Sequence, residues 1–470
     1  MSSISALNAL LGSSNSSSTI NLTEILQAAL GASSPGIDVN SAVNAAVSAA
    51  SAPEQTWESQ LSTLQSQASA LNQLQTNVTS LDNDMQSLNS VTGPLSARTV
   101  TSSNSSIVSA SAASGTTTGN HVVQVSNLAT TASWTSGTFA SGSTTLPAGS
   151  FTITTAGGSP TTITTDGTQT LSDVASQINS DKLGLTASVI TDASGSRLAI
   201  VANTSGSAAN FTISPSGSTG FGFTQAVTGI NASITIDGIA VSSASNTVTG
   251  IIPGLTLNLL SADPGLYVSL GVGPDTAQAA AAVNQFVSDY NTVIQAINAQ
   301  FAVTGSSEGV LATDPNLRNL QSDLEGVMSY VNKPSSGTTS VSNLSSLGIT
   351  VNSNGTLSVN SATLNNALSN NFSDVQTFFQ GSALNGFANT LDQQLTNFIS
   401  PSDGAFTIDL QSISSQESQL QTDITNFQQN VITPLQKQLQ SQYSQAEILL
   451  QQLPTQMKQI NQELGFNSSN

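Results

Sequence analysis

Residues 55–90 carry a hydrophobic pattern in which apolar positions recur every three or four residues. This spacing follows the heptad of a coiled coil and predicts one long helix. Pro53 and Glu54 favour a helix start, and Gly93-Pro94 favours its end. The apolar positions are Trp57, Leu61, Leu64, Ala68, Leu71, Leu74, Val78, Leu81, Met85 and Leu88.

A second apolar stripe follows the C-terminal part of the chain. We expect Pro434 and Pro454 each to kink or interrupt its helix, because proline lacks the N–H donor and clashes with the preceding turn. Both stripes are flanked mainly by Gln, Ser, Thr and Asn, so they are expected to pack together or against partner chains. The C-terminal positions are Ile413, Leu420, Ile424, Phe427, Val431, Leu435, Leu439, Tyr443, Ala446, Leu450, Leu453, Met457, Ile460 and Leu464.

Residues 98–275 change to short alternating runs rich in Thr, Ser, Val, Ile and Gly, which is typical of β-strands. Asp166-Gly167 and Asp237-Gly238 are turn dipeptides. Residues 170–182 break the alternation and predict one short helix. The predicted strands are His121–Val125, Phe151–Thr155, Thr161–Thr165, Thr186–Ile190, Arg197–Ala202, Phe211–Ser214, Ser233–Ile236 and Leu255–Leu259.

Helical patterns return after the β region, at residues 275–301, 317–331, 361–369 and 375–379. The order helix, sheet, helix predicts an α+β multidomain protein, in which long coiled-coil-like terminal helices form a stalk and a β-rich head of two nested subdomains is inserted between them. The expected boundaries are a flexible export or leg segment at 1–50, an N-terminal stalk helix at 51–97, an inner β head at 98–127 and 229–275, an outer β head at 128–228, a helical stalk domain at 276–400, and C-terminal leg helices at 401–470.

Charged and reactive side chains are scarce in the 470 residues. There are 7 Lys and Arg against 26 Asp and Glu, a net charge of −19, which argues against binding to nucleic acid or to anionic membrane surfaces. The chain has no Cys and one His, which excludes disulfides, thiolate chemistry and multi-His metal sites. No window approaches the roughly 18 apolar residues of a membrane span. We therefore expect no enzyme activity and no cofactor.

Few single residues suggest chemistry. Residues 82–84 (Asp-Asn-Asp) lack the glycine of a calcium loop and lie inside a predicted helix. His121 is expected to be a strand residue without chemistry. The rare aromatic residues of the β region are expected in its core, with anchoring at an interface as the alternative. They are Trp134, Phe139, Phe221 and Phe223.

Several longer segments follow one another in the order of a known pattern. They are GIDVNSAVNAAVSAASAPEQTWESQLSTLQSQ at 36–67, GNHVVQVSNLATTASWTSGTF at 119–139, QTLSDVASQINSDKLGLTASVITDASGSRLAIVANTSGSAANFTI at 169–213, ASITIDGIAVSSASNTVTGIIPGLTLNLL at 232–260 and NQFVSDYNTVIQAIN at 284–298. In these segments the chain resembles the flagellar filament-capping family, FliD, also called hook-associated protein 2. It departs from the family in a Ser-rich extension of about 35 residues at its start.

The resemblance implies a non-enzymatic cap, a homo-oligomeric ring at the distal end of the bacterial flagellar filament. Such a cap promotes folding and insertion of exported flagellin and prevents its loss. Further partners implied are the hook–filament junction proteins and an export chaperone at the C-terminal helix. The location implied is extracellular, at the flagellum tip, after export through the flagellar type III apparatus. Residues 1–20 carry no Lys or Arg and no long apolar run, so no Sec signal is expected.

The same resemblance assigns a head motif to Arg197, Asp237 and Gly238. Arg197 matches a turn motif and is expected to form a structural hydrogen bond or ion pair, and Asp237-Gly238 forms a hairpin turn. Two other classes stay open as alternatives. One is another axial flagellar component, such as a hook–filament junction protein, and the other is a secreted or surface adhesin that binds carbohydrate.

Overall fold

The computed structural model describes residues 39–216, 220–302, 308–332 and 340–463. The chain divides into two compact units. The helical unit comprises residues 1–76, 299–317 and 397–470, and the β-rich unit comprises residues 77–298 and 318–396. Most of the flexible segment expected at 1–50, and the stripe residue Leu464, lie outside the described residues.

Helices flank the β region on both sides along the chain, so the predicted fold class is confirmed. The described helices are α1 (Val39–Ala50), α2 (Ala52–Asn89), α3 (Leu171–Ser180), α4 (Thr276–Phe301), α5 (Pro315–Met328), α6 (Ser361–Asn370), α7 (Phe372–Gln380), α8 (Phe387–Ile399), α9 (Ala405–Phe427) and α10 (Thr433–Glu463). α1 lies within the segment expected to be flexible, and its five alanines favour the helix.

Seventeen described strands pair antiparallel in five sheets. They are β1 (Arg98–Ser102), β2 (Val108–Ala112), β3 (Gly119–Asn127), β4 (Ser133–Thr135), β5 (Gly149–Thr155), β6 (Thr161–Thr165), β7 (Leu185–Asp192), β8 (Gly195–Ala202), β9 (Phe211–Ser216), β10 (Thr224–Val227), β11 (Ala232–Ile236), β12 (Ile239–Ser243), β13 (Thr247–Thr249), β14 (Leu255–Leu259), β15 (Asp263–Pro274), β16 (Ile349–Val351) and β17 (Leu357–Val359).

In the helical unit, α2 and α9 run antiparallel. The Trp57 and Phe427 rings meet edge to face with centroids 5.4 Å apart, and the Gln428 amide donates a hydrogen bond to the Glu54 carboxylate. Farther along α2, the Gln75 amide donates to the Thr407 hydroxyl at 3.4 Å. Beyond α9 the chain continues through a π-helical turn into α10, which packs against α1.

The two prolines of the C-terminal helices have milder effects than expected. Before Pro434 the helix widens into a π-helical turn at Gln428–Ile432, where the Thr433 N–H donates to the Gln428 carbonyl. This wider turn keeps the chain helical up to a residue that has no N–H of its own. Pro454 lies inside α10. The exposed surface of that segment lets water satisfy the carbonyl left without a partner.

The inner β module combines two sheets over one apolar core. A five-stranded sheet has the order β1-β15-β3-β11-β12, and a three-stranded sheet has the order β13-β14-β2. Alternate residues of the strands point into the core, as in β14, where Leu255, Leu257 and Leu259 are buried. Val123 and Val268, which are paired across β3 and β15, are completely buried at its centre.

The outer β module contains sheets ordered β10-β4-β8-β7 and β6-β5-β9, with α3 packed against them. α3 confirms the predicted short helix and begins with a capping box, in which Thr170 and Asp173 exchange side-chain and backbone hydrogen bonds. The aromatic residues predicted as core lie in or against the apolar core. Phe221 is fully buried, with the ring centroid of Phe151 5.0 Å away.

Helices α4–α8 and the second half of α2 form the helical part of the β-rich unit. Phe387 is its aromatic centre, 5.3 Å from the Phe378 ring and 5.7 Å from the Phe286 ring. At the end of α2, the Gln380 amide donates to the carbonyls of Leu88 (3.2 Å) and Ser90 (3.0 Å). This side chain from α7 satisfies carbonyls that the end of a helix leaves free.

We predict that Phe221→Ala lowers the free energy of unfolding of the outer β module by about 3–5 kcal/mol, because it opens a cavity in a closed aromatic cluster. The measurement is urea unfolding followed by the fluorescence of Trp134, whose indole donates to the Phe211 carbonyl in the same module. A Trp57→Phe background removes the other tryptophan. Ile190→Ala, at a side chain that is 57% exposed, is the control and changes stability by less than about 0.5 kcal/mol.

Candidate assembly site

The predicted apolar stripe on α2 is buried over most of its length. The stripe residues from Leu71 onward are at most 2% exposed. These are Leu71, Leu74, Val78, Leu81, Met85 and Leu88. Trp57, Leu61 and Leu64, at the start of the stripe in the helical unit, are half-buried. The apolar surface of α2 is therefore incompletely covered only at its N-terminal end.

The stripe on α9 and α10 opens progressively toward the C-terminus. Its first members are half-buried, namely Leu420, Ile424, Phe427, Val431 and Leu450. Leu453, Met457 and Ile460 are 47%, 61% and 52% exposed. Such a row of large apolar side chains on a helix surface is typical of an interaction site.

An open groove of about 630 Å³ lies between α2 and α9 in the helical unit. Leu64 and Leu420 supply its apolar lining. Its polar lining is Thr56, Ser59, Gln60, Thr63, Gln416 and Gln419. In a closed coiled coil each apolar side chain fills a hole on the facing helix. The open groove shows that the two helices do not complete this packing by themselves.

The head-motif residues Asp237 and Gly238 form the turn between β11 and β12. Their φ angles are +51° and +85°, the left-handed pair that a two-residue hairpin of type I′ requires. Asp237 also joins this turn to β3. Its carboxylate lies 2.7 Å from the His121 Nδ1 and accepts a 2.8 Å bond from the Val122 N–H. The hydrogen bond with His121, followed by that from Val122, lowers the pKa of Asp237.

His121 is a strand residue, as expected, and this contact gives its ring a specific carboxylate partner. The two residues are far apart in sequence, so no local pattern could have revealed the pair. Arg197 lies opposite Ile190 in the β7–β8 hairpin with its side chain exposed. Within the described part of the chain its side chain makes no hydrogen bond or ion pair, so the expected one is not found there.

Two pairs of carboxyl groups lie where α2 enters the β-rich unit. Asp82 is 5% exposed and faces Asp392 of α8, and Asp84 faces Asp289 of α4. Asp82 Oδ1 and Asp84 Oδ2 are buried without a hydrogen-bonding donor. Burial, followed by the neighbouring carboxyl group, raises the pKa of Asp82 and of Asp84 to about 7. The sequence placed these residues in a helix correctly but gave no sign of their partners.

The described residues give no support for a metal site or for a membrane-spanning helix. Within residues 39–216, 220–302, 308–332 and 340–463, no group of three or more His, Cys, Asp or Glu side chains could hold a metal ion. In the same ranges no helix has the length and apolar character needed to cross a membrane. The candidate site is therefore the incompletely covered apolar surface of α2, α9 and α10.

Comparison with known proteins agrees with this arrangement. Residues 35–132 match the family model described as flagellar hook-associated protein 2 N-terminus, and residues 229–455 match the model for its C-terminus. Together the two models span more than half of the chain. The chain belongs to the flagellar hook-associated protein 2 family. Residues 150–204, in the outer β module, also match a flagellin hook IN motif.

Two curated relatives show how far the similarity to the hook-associated protein 2 family extends. The B-type flagellar hook-associated protein 2 of Pseudomonas aeruginosa is 27% identical over 418 residues, which cover 78% of this chain and 83% of the relative. The lateral flagellar hook-associated protein 2 of Vibrio parahaemolyticus is 25% identical over 318 residues, covering 64% and 68%.

A solved structure supports the fold of this family member. The D1-D2-D3 domains of the flagellar cap protein FliD from Escherichia coli superpose with a TM-score of 0.58 at 25% identity. The match covers 73% of this chain and 99% of that structure.

We predict that Asp82→Asn stabilises this hook-associated protein 2 member at pH 8. The free carboxyl group has a pKa of 3.8, and the folded protein raises it to about 7. The contribution of the Asp82 carboxyl group to the free energy of unfolding is therefore fully present below pH 3.8. It is lost as the pH rises to about 7. An amide donates to Asp392 at any pH, so the variant gains about 1 kcal/mol or more at pH 8, roughly 2–4 °C in Tm.

Thermal unfolding at pH 5 and pH 8 measures the effect. The advantage of Asp82→Asn should be clearly larger at pH 8 than at pH 5. Asp181→Asn, which removes an exposed carboxylate at the end of α3, is the matched control and should show no such difference. An equal shift of Tm at both pH values would contradict the raised pKa of Asp82.

Proposed function

We propose that this chain caps the distal end of a bacterial flagellar filament as a ring of identical copies. The ring holds back exported flagellin subunits and gives them a sheltered space in which to fold and insert. The chain makes no covalent change to flagellin and needs no cofactor. Its membership of the hook-associated protein 2 family supports the cap, and the open apolar surface of the helical unit supports assembly with other chains.

The observation that carries the assembly part of the proposal is the groove between α2 and α9. A second copy of the chain offers the same narrow apolar stripes with Ser, Thr and Gln flanks. A repeated contact between different surfaces of identical chains closes into a ring when its rotation fits. Without strong ion pairs, such contacts are modest and can exchange, which suits a cap that must shift as each subunit is added.

The remaining partners follow from the family and from the exposed helix faces. We propose that flagellin and the hook–filament junction proteins meet the cap at the filament end. The amphipathic end of α10 suits an export chaperone, because an apolar helix face can lie in a groove of a partner. The chain is exported through the flagellar type III apparatus and acts outside the cell, at the flagellum tip.

A deletion strain tests the proposed function. We predict that it releases flagellin into the medium as monomers and builds few filaments, and that the wild-type gene restores both. Immunoblots of the medium and counts of filaments by electron microscopy measure the two effects. A deletion strain with normal filaments but impaired attachment to surfaces would contradict the cap and favour the adhesin.

Complementation with variants tests the groove within the same strain. Ser59→Glu combined with Gln416→Glu puts two negative charges into the groove at exposed positions, so the fold is kept. We predict that this variant leaks flagellin as the deletion does, because like charges oppose the contact between copies. Ser62→Glu, on an exposed part of α2 outside the groove, is the matched control and should restore filaments. Full function of the double variant would contradict the proposal that the groove contacts a second copy of the chain.

A further inference from the structure

The part of α2 that lies in the β-rich unit, residues 77–89, carries two acidic side chains among its buried apolar ones. Asp82 and Asp84 are two residues apart, which places them about 200° apart around the helix axis at 3.6 residues per turn. Asp82 meets Asp392 of α8, and Asp84 meets Asp289 of α4. This segment of α2 therefore has a carboxyl pair on each of two opposite sides.

In both pairs a buried oxygen has no hydrogen-bonding donor within the described residues. Asp82 is 5% exposed, and its Oδ2 accepts a 2.8 Å hydrogen bond from the Gln86 amide, while its Oδ1 has no donor. The Oδ2 of Asp84 is buried without a donor as well. Two ionised carboxyl groups can only accept hydrogen bonds, and their charges repel each other. The contact within each pair is therefore favourable only while one carboxyl group keeps its proton.

No positive charge offsets the two pairs. In the described part of the chain, no Lys, Arg or His acts on the pKa of Asp82 or of Asp84. α7 faces the end of α2 with the neutral amide of Gln380. A buried carboxylate without a positive partner is costly, so the fold disfavours the loss of the proton from either pair.

α4 and α5 add further titratable groups on the side of Asp84. Asp289 of α4 accepts a 3.1 Å hydrogen bond from the Gln285 amide. Beside it on α4, Tyr290 is fully buried. Burial, followed by the negative charge of Glu325 on α5, raises the pKa of the Tyr290 phenol, which stays neutral up to alkaline pH. None of these neighbours donates a hydrogen bond to Asp84 Oδ2.

We propose that the two carboxyl pairs form a pH-sensitive clamp, which holds residues 77–89 of α2 against α4 and α8 in acid and releases them as the pH rises through neutrality. Because both pairs act on one helix segment, their effects add in the free energy of its local opening. Opening uncovers Val78, Leu81 and Met85, which are otherwise fully buried. The clamp belongs to the β-rich unit and does not depend on what the cap binds.

Opening of this segment becomes easier as the pH rises. The free carboxyl group has a pKa of 3.8, and the folded protein raises the pKa of Asp82 and of Asp84 to about 7. A group whose pKa is raised by folding stabilises the fold fully below its unfolded pKa, and this contribution is lost as the pH rises through the folded pKa. The amides of residues 77–89 should therefore lose protection between pH 5 and pH 8.

Hydrogen–deuterium exchange of the full chain at pH 5, 6, 7 and 8, corrected for the pH dependence of intrinsic exchange, tests the clamp. EDTA is present so that no metal ion bridges the carboxylates. We predict that the protection factors of residues 77–89 fall by at least about tenfold for each pair, about a hundredfold in all. α3 is the internal reference. Hydrogen bonds from Thr170 lower the pKa of its Asp173, so its protection should not fall over this range.

Variants assign the effect to the two pairs. Asp82→Asn and Asp84→Asn each remove one titrating pair, so each should leave a fall of about tenfold, and the double variant should leave none. Asp181→Asn, at an exposed position after α3, is the matched control and should keep the wild-type profile. Asp289→Asn combined with Asp392→Asn neutralises the same pairs from the facing helices, and it replaces the first double variant if that one does not fold.

Constant protection of residues 77–89 from pH 5 to pH 8 in the wild-type chain would overturn the proposal, whatever the variants show. A full fall in a folded double variant would overturn it as well, because other groups would then control the opening. A single substitution that abolishes the whole fall would assign the effect to one pair and overturn the two-sided clamp.

Discussion

The antiparallel pairing of α2 with α9 is the contact on which the two ends of this chain depend. The polar faces of the two helices consist mainly of Gln, Ser, Thr and Asn, so ion pairs contribute little to their pairing. Burial of a narrow apolar stripe supplies most of the free energy of this pairing. Trp57 against Phe427 fixes the register at one end, and Gln75 with Thr407 lies farther along it. All described strands lie between these two helices in sequence, so this pairing closes the long insertion that carries them.

The apolar stripes are covered to very different extents. The buried part stabilises the fold, and the exposed part is available for assembly with other chains. In the β-rich unit, Val78, Leu81 and Met85 are fully buried, and Gln380 satisfies carbonyls at the end of α2. In the helical unit the groove between α2 and α9 stays open, and the end of α10 is exposed. A cap needs both properties, because a rigid part must hold its shape while modest contacts form and break.

Local patterns in the sequence were enough to predict much of the fold. The apolar stripes predicted α2, α9 and α10, the alternating pattern predicted the β region, and the pattern of residues 170–182 predicted α3. These elements were predictable because the pattern of each one depends only on residues that are close together in sequence. The carboxyl pair of Asp82 and Asp392 and the contact of His121 with Asp237 escaped prediction, because each joins residues that only the folded chain brings together. Pro454 inside α10 shows the opposite case, in which an exposed surface tolerates a residue that disfavours helices.

Labelling the chain on intact cells shows directly whether it lies at the distal end of the flagellar filament. Ser159→Cys, in the exposed turn between β5 and β6, provides a single thiol for a maleimide-linked gold particle. Cells that express this variant in place of the native chain are labelled intact and imaged by electron microscopy. For a filament cap we predict gold at the distal ends of filaments, with motility retained. Gold on the cell surface, along the filament shaft or at its base would contradict it.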